Sequence, residues 1–433
     1  MFGQGKKILI RNGLVFREEG LFRKGDLFLL GERIAAEDLY RAVPMEEEII
    51  DAAGLYVIPG LTDLHFHGCD GADCSDGTRQ AFETLARFQL SRGITTMVPA
   101  TMTLPREMLY EICRAAAAFR SRQTEALQNP PSDYTQDRQK CRCPSELPAQ
   151  ASPDSPDTDP YLWGAELSGL YLEGPFISRE KKGAQQEAFI MKADDELLGK
   201  LQILSGNLIR IVALAPETEG AMDFIRRVSP RVRISLAHTT ADHETACQAF
   251  SCGARQLTHL YNAMPGIHHR QPGPVCAAAD REDIMAELIC DGIHVHPSVV
   301  RMTFRIFGDD RIIFISDSMR ACGLADGDYE LGGLPVHVSG SLATLSDGTL
   351  AGSVTSLADC MRKAVQEMDI PLASAVKCAC VNPVRALGMD ADYGFLTPGR
   401  YANLLLLDRS LKLKEVFLRG RACRGASPMT LES

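Results

Sequence analysis

The sequence has 433 residues, a formal net charge of −10, and a composition of 45% hydrophobic and 24% charged residues. This length and balance are typical of a globular enzyme with two structural units and a large buried core. The net negative charge argues against a nucleic-acid partner, because a polyanion would be repelled. No apolar run approaches the roughly 18 residues that a membrane helix needs, so we expect no membrane partner.

The cysteines and the first residues bear on the cellular compartment. The sequence contains 14 cysteines, and none of them has the CxxC spacing of structural zinc sites. The opening MFGQGKKILI lacks an apolar run long enough for a secretory signal. We therefore expect reduced thiols in a cytoplasmic protein.

Both ends of the chain predict short β-strands. Residues 7–57 alternate apolar stretches with turn residues such as Asn12-Gly13. Residues 394–422 have the same character, with Pro398-Gly399 as a turn. Because chain termini commonly lie close together, we expect residues 1–58 and 393–433 to pair into one small β domain.

The middle of the chain, residues 59–392, alternates strand-like and helical segments. The amphipathic TRQAFETLARFQLSRG, for example, is followed by the apolar ITTMVPAT. About eight such units over roughly 320 residues favour an α/β fold of the (β/α)₈ TIM-barrel type over an open sheet. A segment rich in Pro, Ser and Asp at about 123–161 interrupts the pattern, and we interpret it as a disordered surface insertion.

The stretch IPGLTDLHFHGCDG ends the first predicted barrel strand on His65 and His67. Residues two apart in a strand face the same side, so both imidazoles should point the same way. Such a pair, followed by a loop with glycines, predicts half of a divalent metal site. The alternative is a polar strand end whose histidines only shape the floor of the pocket.

Further polar residues follow the apolar runs of other predicted barrel strands: Glu173, His238, His259 and Asp317. The active sites of such barrels lie at the C-terminal ends of the strands. A lone histidine there would be an ordinary core residue, but several polar strand ends together predict a metal site. Glutamate and two histidines suit Zn²⁺ or Fe²⁺ and leave a position for water, whose pKa the metal lowers. A carboxylate such as Asp317 is then suited to proton transfer.

Several motifs occur in an order that is specific as a set: PGLTDLHFHG, LYLEGPFISREKKGA, AHTTA, THLYNAMPGIHHRQPG, DGIHVHP, ISDSMRACGLADGDYELGG, LAGS and NPVRALG. On these motifs the chain resembles the N-acetylglucosamine-6-phosphate deacetylase family of the amidohydrolase superfamily, over nearly its whole length apart from the insertion. The resemblance implies a homodimeric (β/α)₈ barrel with a small β-sandwich domain built from both termini. It also implies metal-dependent hydrolysis of N-acetyl-D-glucosamine 6-phosphate to D-glucosamine 6-phosphate and acetate, a reaction of amino-sugar catabolism.

The resemblance also implies a role for each matching residue. The metal ligands are Glu173, His238 and His259, the catalytic pair is Asp317 and His294, and the substrate contacts are Asn262, Ala263, Arg270, Gln185 and again His294. His294 orients the substrate and polarises its amide carbonyl. Zn²⁺ is favoured over Fe²⁺, and His65 and His67 leave open whether one or two metals bind per subunit.

Two residues depart from the family pattern, because Tyr171 and Gln185 stand where the family often has histidine. A glutamine can hydrogen-bond a sugar hydroxyl or a phosphate oxygen, but it carries no charge. Another N-acylated amino-sugar phosphate, such as N-acetylgalactosamine 6-phosphate, therefore stays open as the substrate. A cyclic-amide hydrolase is less favoured, since those enzymes often bridge two metals with a modified lysine. A catalytically silent sugar-phosphate-binding protein is the alternative from another class.

Overall fold

The computed structural model describes residues 6–128 and 164–423. Its strands are β1 (Lys7–Phe16), β2 (Phe22–Leu30), β3 (Arg33–Ala35), β4 (Glu47–Asp51), β5 (Tyr56–Pro59), β6 (Leu61–Asp63), β7 (Gly68–Cys69), β8 (Ala72–Asp73), β9 (Ile94–Met97), β10 (Glu166–Leu167), β11 (Leu170–Glu173), β12 (Ile209–Leu214), β13 (Arg233–Leu236), β14 (Gln256–Leu257), β15 (Met285–Ile289), β16 (Ile312–Ile315), β17 (Gly327–Leu331), β18 (Leu334–Ser339), β19 (Leu342–Thr344), β20 (Leu404–Leu407), β21 (Leu413–Leu418) and β22 (Arg421–Cys423). Its α-helices are α1 (Glu37–Ala42), α2 (Arg79–Ser91), α3 (Arg106–Gln128), α4 (Asp195–Ser205), α5 (Ala221–Val228), α6 (His243–Cys252), α7 (Gly273–Ala279), α8 (Pro297–Phe307), α9 (Leu357–Gln366), α10 (Leu372–Val376) and α11 (Asn382–Ala386).

Parallel strands form a closed barrel at the centre of the molecule. β6, β9 and β10 pair side by side, and β11 to β16 pair in chain order. β10 and β11 are two parts of one barrel strand, because β10 pairs with β9 whereas β11 pairs with β12. The ring closes between β16 and β6, where the Asp317 N–H donates to the His65 carbonyl at 3.0 Å. The predicted (β/α)₈ barrel is confirmed.

Asp63, the last residue of β6, strengthens this closure. Its Oδ2 accepts a hydrogen bond from Ser316 Oγ at 2.5 Å, and its Oδ1 lies 3.4 Å from the backbone nitrogens of both Ser316 and His65. The side chain is fully buried, and burial raises the pKa of this carboxyl to about 7. Asp63 therefore joins the two strand ends that precede His65 and Asp317.

Several barrel strands are apolar on both faces, because helices cover the outside of the sheet and side chains fill its inside. The runs IRIVAL in β12 and IIFI in β16 are typical of parallel strands that are buried on both sides. Tyr171, Ile211 and Ile313 belong to the inner cluster that fills the barrel. The alternating neighbours Leu172 and Val212 pack in the outer core instead.

The two ends of the chain build one small β domain, as predicted. Its sheet has the strand order β22-β21-β20-β5-β1-β2-β3, and β4 pairs with β1 as well. β20 and β5 form the seam between the two ends, with Leu404 opposite Pro59. A separate hydrophobic cluster that includes Ile10, Val57 and Phe417 is the core of this domain. The domain boundaries after residues 58 and 392 stay a prediction.

The start of the predicted insertion at residue 123 needs correction. Helix α3 continues to Gln128, and Gln123 is buried on it. The Gln123 amide donates to the Ala165 carbonyl and accepts from the Leu167 N–H, both at 3.0 Å. These bonds tie α3 to β10, so residue 123 belongs to the barrel. The rest of the predicted insertion, from residue 129 onward, lies outside the described residues.

Among residues 6–128 and 164–423, every helix is too short or too polar to cross a membrane.

A buried ion pair joins the β domain to the barrel. Arg419, next to β21, lies 3.1 and 2.9 Å from the two carboxylate oxygens of Glu166 in β10, and its guanidinium covers the Tyr401 ring at 3.5 Å. Arg120 and the Tyr393 hydroxyl also contact Glu166, each at 2.9 Å. Burial acts to raise the pKa of Glu166, but these cations outweigh it and lower the pKa, so the carboxylate stays ionised.

We expect Arg419→Met to lower the free energy of unfolding by about 3 kcal/mol, because it leaves the buried Glu166 carboxylate without its principal partner. Urea unfolding followed by circular dichroism measures the change. The double variant Arg419→Met/Glu166→Gln should recover at least half of the loss, since the buried carboxylate is then gone and Arg120, which loses it as a partner, is partly exposed to water. A double variant as unstable as the single one would show that charge burial is not the cause.

Candidate metal centre

The polar residues predicted at the strand ends meet at one end of the barrel. They are His65 and His67 after β6, Glu173 at the end of β11, His238 after β13, His259 after β14, and Asp317 after β16. All of them are buried, with exposed fractions between 0% and 8%. Because parallel strands end at the same rim of a barrel, residues far apart in sequence come into contact there.

Glu173 lies at the centre of the group formed with His238 and His259. Its Oε1 is 3.0 Å from the Nε2 atoms of both histidines, and these two Nε2 atoms are 3.2 Å apart. The three side chains thus offer ligand atoms that lie within 4.8 Å of one another. This set matches the three protein ligands with an open position that catalytic zinc sites use.

His65 and His67 form a second group on the other side of Glu173. His67 Nε2 is 3.1 Å from Glu173 Oε2 and 3.3 Å from Asp317 Oδ1. His65 Nε2 is 3.7 Å from Glu173 Oε1 and 3.8 Å from Asp317 Oδ1. Both imidazoles therefore face Glu173 and Asp317. The two histidines lie just beyond β6, which ends at Asp63. Glu173 therefore belongs to both potential ligand groups.

The outer nitrogens of three of these imidazoles have fixed partners. His65 Nδ1 is 2.9 Å from Glu287 Oε2, His67 Nδ1 is 3.3 Å from the Ala100 carbonyl, and His238 Nδ1 is 2.8 Å from the Lys181 carbonyl. His259 is the exception, because its buried Nδ1 has no such partner among the described residues. Metal-binding histidines are characteristically held this way by their second nitrogen. The residues present therefore fit one or two divalent cations.

The carboxyl groups of the site have the charge that a metal requires. Burial acts to raise the pKa of Glu173, but the imidazoles of His65, His238 and His259 outweigh it and hold the pKa well below its ordinary value. Burial also acts to raise the pKa of Asp317, but the nearby imidazoles outweigh it and lower the pKa. Both groups are ionised near neutral pH, which is the form that binds a divalent cation.

Three of the site residues adopt a left-handed backbone conformation immediately beyond their strands. The φ angles are +45° at His238, +27° at His259 and +48° at Asp317. Such a conformation costs a residue other than glycine on the order of 1–3 kcal/mol, and residues of this kind cluster at functional sites. From these bends His238 and His259 contact Glu173, and Asp317 contacts His67.

His294 lies in the loop after β15 and is oriented by a residue that our sequence analysis missed. Asp291 Oδ2 is 2.7 Å from His294 Nδ1, and Asp291 Oδ1 accepts from the His294 backbone N–H at 2.9 Å. Burial acts to lower the pKa of His294, but the hydrogen bond and charge of Asp291 outweigh it and raise the pKa. The imidazole is thereby held with Nε2 as its free nitrogen.

Gln185 was expected to contact substrate, but its amide is occupied by the protein. Nε2 donates to Glu173 Oε2 at 2.8 Å, and Oε1 accepts from the Thr103 N–H at 2.6 Å. The side chain is 2% exposed. Gln185 thus supports the central carboxylate of the site, and its contact with substrate stays a prediction.

The other predicted substrate contacts follow His259 along the chain. Asn262 is half-buried and its amide donates to the His259 and Leu260 carbonyls at 3.2 Å, while Ala263 has a φ of +51°. Arg270 is exposed. The structure therefore places Asn262 and Ala263 beside the predicted metal ligand His259 and leaves Arg270 on the surface.

Glu287 was also missed, although the sequence carries a signal for it. It is a glutamate within the apolar strand β15, MAELI, and it is fully buried inside the barrel. A carboxylate in such a run must have a partner, because an unpaired buried charge is costly. The sequence alone does not show that this partner is His65.

Comparisons with known proteins show which family the chain resembles. The Amidohydrolase family model matches residues 56–423. The chain is 31% identical to the N-acetylglucosamine-6-phosphate deacetylase of Bacillus subtilis (strain 168) over 417 residues, 96% of each protein. It is 30% identical to the N-acetylgalactosamine-6-phosphate deacetylase of Escherichia coli O157:H7 over 414 residues, 95% of this chain and 98% of that relative.

A similar structure is that of a mutant N-acetyl-D-glucosamine-6-phosphate deacetylase from Mycobacterium smegmatis in complex with N-acetyl-D-glucosamine-6-phosphate. The TM-score is 0.80 at 28% identity, and the match covers 97% of this chain and 100% of that one.

We expect Gln185→Leu to destabilise the metal-free protein by about 1–3 kcal/mol, because the Thr103 N–H and Glu173 Oε2 each lose a buried partner. Urea unfolding in the presence of a chelator measures this loss without a contribution from bound cations. Gln366→Leu is the matched control: it removes an exposed glutamine and should change stability by less than about 0.5 kcal/mol. Equal effects of the two substitutions would contradict the role given to Gln185.

Proposed function

Because the chain belongs to the N-acetylglucosamine-6-phosphate deacetylase family of the amidohydrolase superfamily, we propose that it hydrolyses the N-acetyl group of an amino-sugar 6-phosphate. The substrate that we propose is N-acetyl-D-glucosamine 6-phosphate, and the products are D-glucosamine 6-phosphate and acetate. The buried arrangement of Glu173, His238, His259 and Asp317 at the barrel rim carries this proposal.

A divalent cation held by Glu173, His238 and His259, for which we propose Zn²⁺, would supply Lewis acidity toward the amide carbonyl and the attacking water. Asp317 is ionised and lies at the same rim. Its carboxylate accepts the proton of the attacking water and then gives it to the departing amine nitrogen, as the C–N bond breaks.

His294 stabilises the negative charge that develops on the carbonyl oxygen. Asp291 occupies its Nδ1, so Nε2 is the nitrogen available to donate a hydrogen bond. The raised pKa of His294 favours the protonated form, in which Nε2 carries a hydrogen.

The phosphate end of the substrate is assigned to Asn262, Ala263 and Arg270. A dianionic phosphate is recognised by backbone N–H groups and by a guanidinium, which binds it with two parallel hydrogen bonds. The homodimer implied by the sequence stays a prediction, which sedimentation analysis checks.

N-acetylgalactosamine 6-phosphate is the second candidate substrate. The Escherichia coli relative that bears this name is about as similar to the chain as the glucosamine relative from Bacillus subtilis. Gln185, moreover, is uncharged where the family often has histidine, and its amide is hydrogen-bonded to Glu173.

Initial rates of acetate release from the two 6-phosphate epimers separate these candidates. We expect a higher kcat/KM for the glucosamine epimer. A higher value for the galactosamine epimer would replace our substrate assignment while leaving the reaction type intact.

Removal of the metal should abolish acetate release. Dialysis against a chelator, followed by metal analysis and an assay on N-acetyl-D-glucosamine 6-phosphate, measures this, and added Zn²⁺ should restore the rate. A chain that binds no divalent metal and releases no acetate would instead support a catalytically silent sugar-phosphate-binding protein.

Asp317→Asn should lower kcat by at least about 10²-fold, because the amide cannot accept the proton of water. Asparagine tolerates a left-handed backbone, so the loop after β16 should keep its shape. Metal content measured on the same sample shows whether the site is still loaded. Near-normal turnover with metal bound would disprove the proton-transfer role.

A further inference from the structure

A chain of buried polar side chains crosses the barrel interior and ends on His65. It begins at Arg233, the first residue of β13, whose Nε donates to Gln256 Oε1 at 2.5 Å. Gln256, the first residue of β14, donates from Nε2 to Glu287 Oε1. Glu287 Oε2 lies 2.9 Å from His65 Nδ1 and accepts from the His259 backbone N–H at 3.2 Å. The exposed fractions of Gln256, Glu287 and His65 are all 0%.

The directions of the hydrogen bonds in this chain are set by its two charged residues, Arg233 and Glu287. A guanidinium has only donors, so Gln256 must present Oε1 to Arg233 and its NH₂ group to Glu287. Burial lowers the pKa of Arg233 to about 10, which still leaves it protonated at neutral pH. The Glu287 carboxylate has only acceptors, and so His65 must donate from Nδ1.

With Nδ1 donating to Glu287, Nε2 is the nitrogen of His65 that is left to face a cation. This Nε2 is buried and has no hydrogen-bond partner among the described residues. It faces two carboxylate oxygens, Glu173 Oε1 at 3.7 Å and Asp317 Oδ1 at 3.8 Å. The Tyr171 ring stacks on the imidazole at 4.4 Å and limits its rotation. Nε2 and these two oxygens thus surround a position that a cation can occupy.

We propose that Arg233, Gln256 and Glu287 are positioning residues that fix the His65 tautomer for a second divalent cation, held with His67 and Glu173. The inference deepens the proposed metal-dependent function and rests on it, since the first cation is assigned to Glu173, His238 and His259. None of the three positioning residues touches substrate. They act through the ring of His65.

Glu287→Gln tests the proposal because neither orientation of the new amide can make the correct hydrogen bonds to both of its neighbours, Gln256 and His65. With its oxygen toward His65, its NH₂ group opposes the NH₂ group of Gln256. With its NH₂ group toward His65, it forces the proton onto Nε2 and removes the lone pair. Chelator-stripped protein is titrated with Zn²⁺ against a competing chromophoric chelator. We expect two Zn²⁺ per wild-type chain, and in Glu287→Gln one retained Zn²⁺ and a second bound 10–100-fold more weakly.

The swap Glu287→Gln/Gln256→Glu separates hydrogen-bond direction from simple packing. In this double variant the carboxylate at position 256 accepts hydrogen bonds from both Arg233 and the amide at position 287. The oxygen of that amide again accepts from His65. We expect the affinity of the second Zn²⁺ to return to within a few-fold of wild type. Glu166→Gln is the control, because it removes a buried carboxylate that does not touch the site and should keep both cations.

Unchanged second-site affinity in Glu287→Gln, or a swap that fails to rescue it, would overturn the inference. A wild-type chain that binds one Zn²⁺ and releases acetate would also overturn it, while the proposed function would stand. A wild-type chain with no Zn²⁺ and no activity would overturn the proposed function itself. If Glu287→Gln does not fold, Gln256→Leu takes its place as the test. It breaks the hydrogen-bond chain one residue further from His65 and should also weaken the binding of the second Zn²⁺.

Discussion

The closure of the barrel between its first and last strands is the constraint on which the site depends. The Asp317 N–H donates to the His65 carbonyl, and the Asp63 carboxyl bonds to Ser316. These contacts bring together residues that are more than 200 positions apart in the sequence. Glu173 can face both histidine groups only because the ring is closed. The imidazoles that it contacts come from strands on both sides of its own.

Much of this arrangement could be predicted from the sequence because its signals are local. Apolar runs such as IIFI mark strands covered on both faces, and a polar residue just beyond such a run marks the rim where sites form. His65, His67, Glu173 and Asp317 were found in this way. The rule needs only the order of residues along the chain, since all parallel strands end at the same rim.

What the sequence did not reveal depends on contacts between distant strands. Glu287, Gln256 and Arg233 are polar residues within strands, and no periodicity shows that they meet inside the barrel. The hydrogen bond from Gln185 to Glu173 likewise joins residues whose contact the sequence does not show. Helix α3 continues past residue 123 because Gln123 bonds to β10, and this partner lies beyond the undescribed segment.

The left-handed backbone at His238, His259 and Asp317 links the folding stability of the protein to what binds at the barrel rim. Each of these positions carries conformational strain of this kind. An ion that binds only the native state shifts the folding equilibrium by mass action. The fraction of chains that survive proteolysis in a cell would then rise and fall with the local supply of trace metal.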